Sequence, residues 1–263
     1  MTASPVGQGI LQQAVAAWRR RACVDFGCED SAFDCHALTI VARPPDSKEK
    51  SIAMAITMGT GTVLSVQEPW IEFARTLTPE KHFLAFQPQE FALPFLEEAR
   101  RRGVEVVARN PGLGFLPAEA PAPPRLPQGT RVERWQKEQC VPWALTFHNA
   151  LWDDPDDIDD FLYALVLVDE TGAPQAMAGA WRESDALVEI GVDVAHDARG
   201  RGLAPVIVRT MARAILDSGN IPTYYCAATN VRSHRTALAS GFLPVVSMGG
   251  IRPQPPKPTP QSA

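Results

Sequence analysis

Glu189 and Asp193 stand on an apolar, strand-like run, Val188-Glu189-Ile190-Gly191-Val192-Asp193-Val194, that leads through a short turn into Arg199-Gly200-Arg201-Gly202-Leu203-Ala204. These residue types suit two chemistries placed end to end. A carboxylate on a strand can take a proton from a nucleophile. A glycine loop entering a helix presents backbone N–H groups to a phosphate, with no Cβ to hold the anion off. Arg199 and Arg201 add positive charge beside it. The spacing of the loop describes a diphosphate cradle.

Other readings of the loop can be weighed directly. A P-loop ends in Gly-Lys-Ser/Thr, where Leu203-Ala204 stands here. A dinucleotide fingerprint needs a third small residue where Pro205 sits, and an acidic residue about 20 positions further on. A plain glycine turn entering a helix, with its arginines in water, stays open on the loop alone.

The elements that must position these residues follow from periodicity. Ile207, Val208, Met211, Ala214 and Ile215 recur at helical spacing, and Asp217-Ser218-Gly219-Asn220 stops that helix. Pro222–Thr229 reads as a short buried strand. Asn230 caps a second helix, which Gly241 closes. Upstream, Thr130–Trp135 reads as a strand, with helices at Glu138–Ala150 and Asp157–Leu162. Tyr163–Asp169 and Gln175–Trp181 form a hairpin around Glu170-Thr171-Gly172, and Ala186–Val194 is the central strand. On that strand Glu189 and Asp193 alternate onto one face.

In this order the residues resemble the GNAT superfamily of acyl-CoA-dependent N-acyltransferases. Arg199-x-x-Gly202-x-Ala204 is similar to that family's acyl-CoA motif, and Asn230-x-x-Ser233 with Gly241-Phe242 is similar to its second motif. The resemblance covers about residues 130–250. It implies an α/β (α+β) fold with a mixed sheet flanked by helices, ordered βααβββαβαβ. In that fold the central strand and the next parallel strand splay around the pantetheine arm. Acetyl-CoA is the implied co-substrate. Backbone groups of Val192 and Val194 would hold the pantetheine amides. Arg199, Gly200, Arg201, Gly202, Leu203 and Ala204 would surround the diphosphate, with Asn230 and Ser233 beside the pantetheine. The implied reaction is direct attack of a primary amine, on a small molecule, peptide or protein, at the thioester. Glu189 would be the base, Asp193 its rival and the Val192 N–H the oxyanion donor. The central strand bulges here in the family, which leaves the register of Glu189 open.

One position departs from the family. Ala237 stands where many members carry the tyrosine that protonates the leaving thiolate. Ser233, His234 and Tyr225 are candidates to supply that proton, and water is another source. A non-catalytic acyl-CoA-binding regulator or sensor is the alternative this departure keeps open.

The rest of the 263-residue chain divides around that segment. Residues 1–110 read as a smaller α/β domain without a catalytic motif. Its elements are a helix at Ile10–Cys23, strands near Phe33–Val41, Ser51–Met58 and Val63–Val66, and a helix at Pro69–Leu77. A strand at His82–Phe86, a helix at Glu90–Arg102 and a strand at Val104–Ala108 follow. A degenerate half of a duplicated acyltransferase is one reading of this domain, and a wall for the acceptor cleft is another. Residues 111–129 carry Pro117, Pro121, Pro123, Pro124 and Pro127 and read as an extended linker. The domain 130–250 holds both motifs and hence the whole cofactor site. Residues 251–263 read as a disordered, proline-rich tail.

Composition bounds the partners. Hydrophobic content is 45%, charged content 21% and net charge −5, a profile that argues against a nucleic-acid binder. No stretch is as long as a membrane span, and Met1–Pro5 lacks signal-peptide character, so a cytoplasmic protein is expected. The five cysteines are odd in number and fit a reducing compartment. Cys23, Cys28, Cys35 and His36 match no zinc spacing, and no metal is expected. A homodimer is compatible with all of this. The acidic run Asp153–Asp160 caps a helix, or draws a cationic amine. Trp143, His148, Trp152 and Trp181 form a cleft wall, or core.

Overall fold

The computed structural model describes residues 9–47, 49–77, 88–152 and 155–254. The chain divides into two compact units, Met1–Trp18 with Gly114–Val245 and Arg19–Leu113 with Val246–Ala263. This division differs from a simple 1–110 and 130–250 split, since each unit takes a piece from the other end of the chain. The helices are α1 (Ile10–Phe26), α2 (Ile71–Ala74), α3 (Leu93–Arg101), α4 (Lys137–Cys140), α5 (Leu203–Asp217) and α6 (Val231–Ala239). The first strands are β1 (Leu38–Ala42), β2 (Ala53–Thr57), β3 (Thr62–Val66), β4 (Val106–Ala108) and β5 (Gly112–Pro117). Then come β6 (Arg131–Trp135), β7 (Phe161–Val168), β8 (Pro174–Arg182), β9 (Leu187–Val194), β10 (Ile221–Ala227) and β11 (Phe242–Pro253).

In the unit built on Gly114–Val245, β6, β7, β8 and β9 are successive antiparallel neighbours. β10 joins β9 in parallel, and β5 lies beyond β10. This is the mixed sheet flanked by helices that the sequence implied. α5 buries Leu203, Ile207, Val208, Met211, Ala212 and Ile215, the stripe set by its 3.6-residue period, and packs on β8 and β9. A second cluster gathers Cys140, Phe147, Ala150, Leu151 and Phe161 around Met177 of β8.

Two expected helices of this unit are shorter than their patterns suggest. The helix expected over Glu138–Ala150 stops at Cys140, because Pro142 has no N–H for the helical ladder and its ring crowds the carbonyl four residues back. The chain continues as a 3-10 turn, Val141–Trp143. The helix expected at Asp157–Leu162 is a 3-10 segment, Pro155–Asp160, since Phe161 already pairs with Trp181 in the sheet. The stretch 111–129 is likewise no plain linker. It opens as β5, and the carbonyls of its prolines, which have few N–H partners nearby, are met by arginines of α5. Arg213 Nη1 donates to Pro121 O at 2.9 Å and Arg209 Nη2 to Ala122 O at 3.4 Å.

In the other unit β1 runs parallel to β3, β3 antiparallel to β2, and β2 antiparallel to Ser247–Ile251 of β11. Trp70, Phe91, Phe95 and Leu64 fill its core, with Phe73 and Phe91 edge-on to Phe95 at 5.1 and 5.3 Å. The strand expected from Phe33 starts at Leu38, because Asp30–Phe33 is a 3-10 turn and His36 follows at φ 52. The expected strand His82–Phe86 lies outside the described residues. The tail expected to be disordered from 251 begins as strand instead: Ile251 and Pro253 pair with Ala108 and Val106. Residues 255–263 lie outside the described residues.

Candidate active site

The parallel pairing of β9 with β10 is brief. It joins Leu187 to Ile221, Val188 to Pro222 and Glu189 to Thr223, although β9 runs on to Val194 and β10 to Ala227. β9 keeps unbroken register with β8 from Val188–Arg182 to Val194–Ala176. The parting is therefore not a bulge in β9, and the register of Glu189 is settled. Ala195 N–H donates toward β8, to Gln175 O, while Ala186 O accepts from Ile221 on the β10 side. Alternation by two then aims the N–H and C=O groups of Ile190, Val192 and Val194 into the gap.

The gap is a cavity of about 1220 Å³. At one end lies the glycine loop. Gly200 and Gly202 hold φ of 79 and 73, the left-handed region that a Cβ strains, and nothing stands within 4 Å of a Cβ built on either. Gly202 is the N-cap of α5, and no side chain caps that end. The first N–H groups of α5, at Leu203 and Ala204, have no partner within the helix. Open space beside unclaimed backbone donors fits a polyanion. Arg199 lines the cavity, with Nε 3.4 Å from Val194 O. Arg201 Nη2 donates to Asp197 O at 3.1 Å, and Arg201 does not line the cavity. The structure thus gathers Glu189, Val192, Asp193, Val194, Arg199, Gly200, Gly202, Leu203, Ala204, Asn230 and Ser233 around one cavity, and leaves Arg201 beside it. Leu203 contributes only its backbone, because its side chain is buried.

The other end is acidic and hydroxyl-bearing. Paired residues of neighbouring strands share a face, so Glu189, Thr223 and Tyr225 lie on one side of the gap and Ile190 and Tyr224 on the other. Glu183 accepts from Thr223 Oγ1 and from Tyr225 OH, each at 2.8 Å, and Trp18 Nε1 donates to the Tyr225 oxygen at 2.5 Å. Burial, with the charges of Glu183 and Glu189 nearby, holds the Tyr225 phenol well above its ordinary pKa. Its proton faces Glu183, which removes Tyr225 from the groups free to serve a leaving thiolate.

Asp193 has a different occupation. Its carboxylate accepts from Asn149 N at 2.6 Å, Asn149 Nδ2 at 2.9 Å and Ala150 N at 3.2 Å. These bonds press residues 149–150 against two glycines of the sheet. A Cβ on Gly191 would fall 2.0 Å from Asn149 O, and one on Gly179 only 1.7 Å from Ala150 O. Gly191→Ala is therefore expected to destabilise the fold by about 1–3 kcal/mol, read by chemical unfolding, through displacement of this loop. Asp193→Ala leaves two backbone donors without their acceptor and is expected to cost a similar ~1–3 kcal/mol with CoA affinity retained. An Asp193→Ala protein of unchanged stability would return the residue to the list of bases.

The remaining predicted groups are also engaged. Asn230 Oδ1 accepts from Ser233 N at 3.2 Å as the cap of α6, leaving its Nδ2 for a ligand. His234 Nε2 lies 3.1 Å from Ala227 O, a carbonyl that can only accept. Trp152, Phe161 and Trp181 pack edge to face at 5.0–6.4 Å as core rather than cleft wall. Sequence reasoning missed Trp18, Asn149, Glu183 and Tyr224, which carry no local motif. All five cysteines are free thiols. Among the described residues no cluster of three His, Cys, Asp or Glu could hold a metal, and no helix is long and apolar enough to cross a membrane.

Residues 167–242 match the family model described as FR47-like protein. This segment is FR47-like. It contains β8, β9, α5, β10 and α6, and so the parted strands and the glycine loop. Solved structures similar to the chain include a Novosphingobium aromaticivorans DSM 12444 protein assigned to the GNAT family, 21% identical over 58% of this chain and 69% of that one, TM-score 0.46. A Drosophila protein is 22% identical over 63% of this chain, with a TM-score of 0.48, and the chain spans only 58% of its length. A GCN5-related N-acetyltransferase-like protein of Streptococcus suis 89/1591 is 18% identical over 63% of this chain and 68% of that one, TM-score 0.45. The family match is confined to residues 167–242. No curated protein is significantly similar.

Proposed function

We propose that the FR47-like segment lies in a GNAT domain that transfers an acyl group, acetyl in the first instance, from acyl-CoA to a primary amine of a small molecule or peptide. The observation that carries this reading is the parting of β9 from β10 after Glu189, which opens a strand edge between a carboxylate and an uncapped helix N-terminus. Bound acyl-CoA would supply the thioester. The chain supplies the rest. The N–H groups of Gly202, Leu203 and Ala204, with Arg199, hold the diphosphate. Free backbone groups of Val192 and the N–H of Val194 bond an extended amide arm. The Val192 N–H donates to the carbonyl oxygen as charge develops there, and Glu189 takes the proton of the attacking amine.

The test is CoA titration by calorimetry, followed by thiol release from acetyl-CoA across a panel of amines. Saturable CoA binding with amine-dependent thiol release is the expected result. Binding without release from any amine would favour the regulatory reading, and absence of binding would overturn both.

A further inference from the structure

Whatever amine is used, the departing sulfur carries charge, and the acyl-CoA reading above, on which this inference rests, names nothing to receive it. Ala237 is fully buried and bears no hydroxyl. Tyr225 donates to Glu183 and His234 to the Ala227 carbonyl. Thr236 Oγ1 donates to Arg232 O at 3.2 Å, which leaves two cavity-lining hydroxyls. Tyr224 is the first residue of β10 beyond the last rung shared with β9, and Ser233 comes from the first turn of α6. Their oxygens lie 2.7 Å apart. Between them they carry two protons, and the bond they share uses one. The Cys226 thiol, which burial keeps protonated, also reaches Ser233 and donates to its oxygen, so the second O–H of the pair is left to donate outward.

We infer that Tyr224 and Ser233 form the site that receives the CoA sulfur, the pair donating one hydrogen bond to the thiolate as it leaves. The C–N bond forms and the C–S bond breaks. The electron pair stays on sulfur under that donated bond, and the amine proton goes to Glu189 and then to water. The thiolate takes its own proton from water after release. Glu189 lies on the opposite face of the gap from Tyr224, so base and donor do not compete for one proton. The Tyr224 ring sits against Phe115 and Phe242, each at 6.2 Å, where low polarity strengthens a hydrogen bond to an anion. Burial pushes the Tyr224 phenol up to about 12, which keeps it a donor at the alkaline pH where amines are neutral. The other ionisable groups bearing on the pair are Asp193 and the Cys226 thiol.

The experiment uses the full chain with CoA carrying 13C at the carbon bonded to sulfur. The shift of that carbon reports thiol ionisation without interference from Cys226. In the complex the CoA thiol is expected to titrate about one pK unit below free CoA. In Tyr224→Phe and in Ser233→Ala most of that difference should disappear while CoA still binds. A bound thiol titrating like free CoA in the wild type would overturn the inference with the acyl-CoA reading intact. So would an undiminished shift in either variant. Should Tyr224→Phe fail to fold, Ser233→Ala decides alone. Failure of the wild type to bind CoA would overturn the acyl-CoA reading and this inference with it.

Discussion

Glu189→Gln is expected to lower amine-dependent turnover by about a hundredfold to ten-thousandfold while leaving CoA affinity nearly unchanged. Glu189 occupies the last shared rung of β9 and β10, so its side chain stands where the cavity begins, on the face that carries Thr223 and Tyr225. Glutamine keeps the size and polarity there and removes the charge and the ability to take a proton. The loss should therefore fall on kcat, measured by thiol release, and calorimetry should show the same CoA Kd. A variant that loses CoA affinity and keeps kcat would make Glu189 a structural residue. Asp193→Asn should give the opposite signature, a weaker fold with a smaller loss of turnover, because that carboxylate holds Asn149 and Ala150.

Gly202→Glu is expected to weaken CoA binding by about tenfold to a thousandfold, the equivalent of one hydrogen bond to a charged group, ~1.5–3 kcal/mol, with charge repulsion added. The space beside Gly202 is open, so the new side chain occupies the room a diphosphate would need. Its positive φ adds strain of its own, which needs a control. Gly219, at the far end of α5, has φ 83 and equally open surroundings, and it does not line the cavity. Gly219→Glu should share the backbone penalty and bind CoA normally. Equal affinity in the two folded variants would remove the diphosphate from the loop.

How much of this was legible in the sequence depended on range. The loop, α5 and α6 are short-range objects. Glycines at positive φ, an Asn cap and a 3.6-residue stripe announce them locally, and their ends fall within a residue or two of the pattern. Pro142 was equally local, yet the apolar spacing beyond it concealed the stop it imposes. The parting of the strands is another kind of fact. The residues of Ile190–Val194 and Tyr224–Ala227 do not by themselves state that these runs cease to pair, because that depends on what the sheet and the loop do together. The splay is expected only through the family resemblance. Asp193 alternates correctly onto the face of Glu189, and alternation could not tell that Asn149 would claim it. The hydroxyl pair lay hidden for the same reason, since Tyr224 and Ser233 meet only through tertiary packing.

The indole of Trp18 and the phenol of Tyr225 are 207 residues apart in sequence. The chain emerging during synthesis therefore makes one partner near its start and the other near its end, with most of a second unit between them. Cofactor unit and N-terminal helix cannot be completed in order of appearance. The same connectivity limits what can be excised. A piece cut at Gly129 would retain every cavity-lining residue, yet it would strip β10 of its outer neighbour β5 and leave an unpaired edge open to association. It would also lose the indole donor to Tyr225. The segment that carries the motifs is thus not a portable module, and grafting or truncation has to respect a unit that draws on Met1–Trp18 as well as Gly114–Val245.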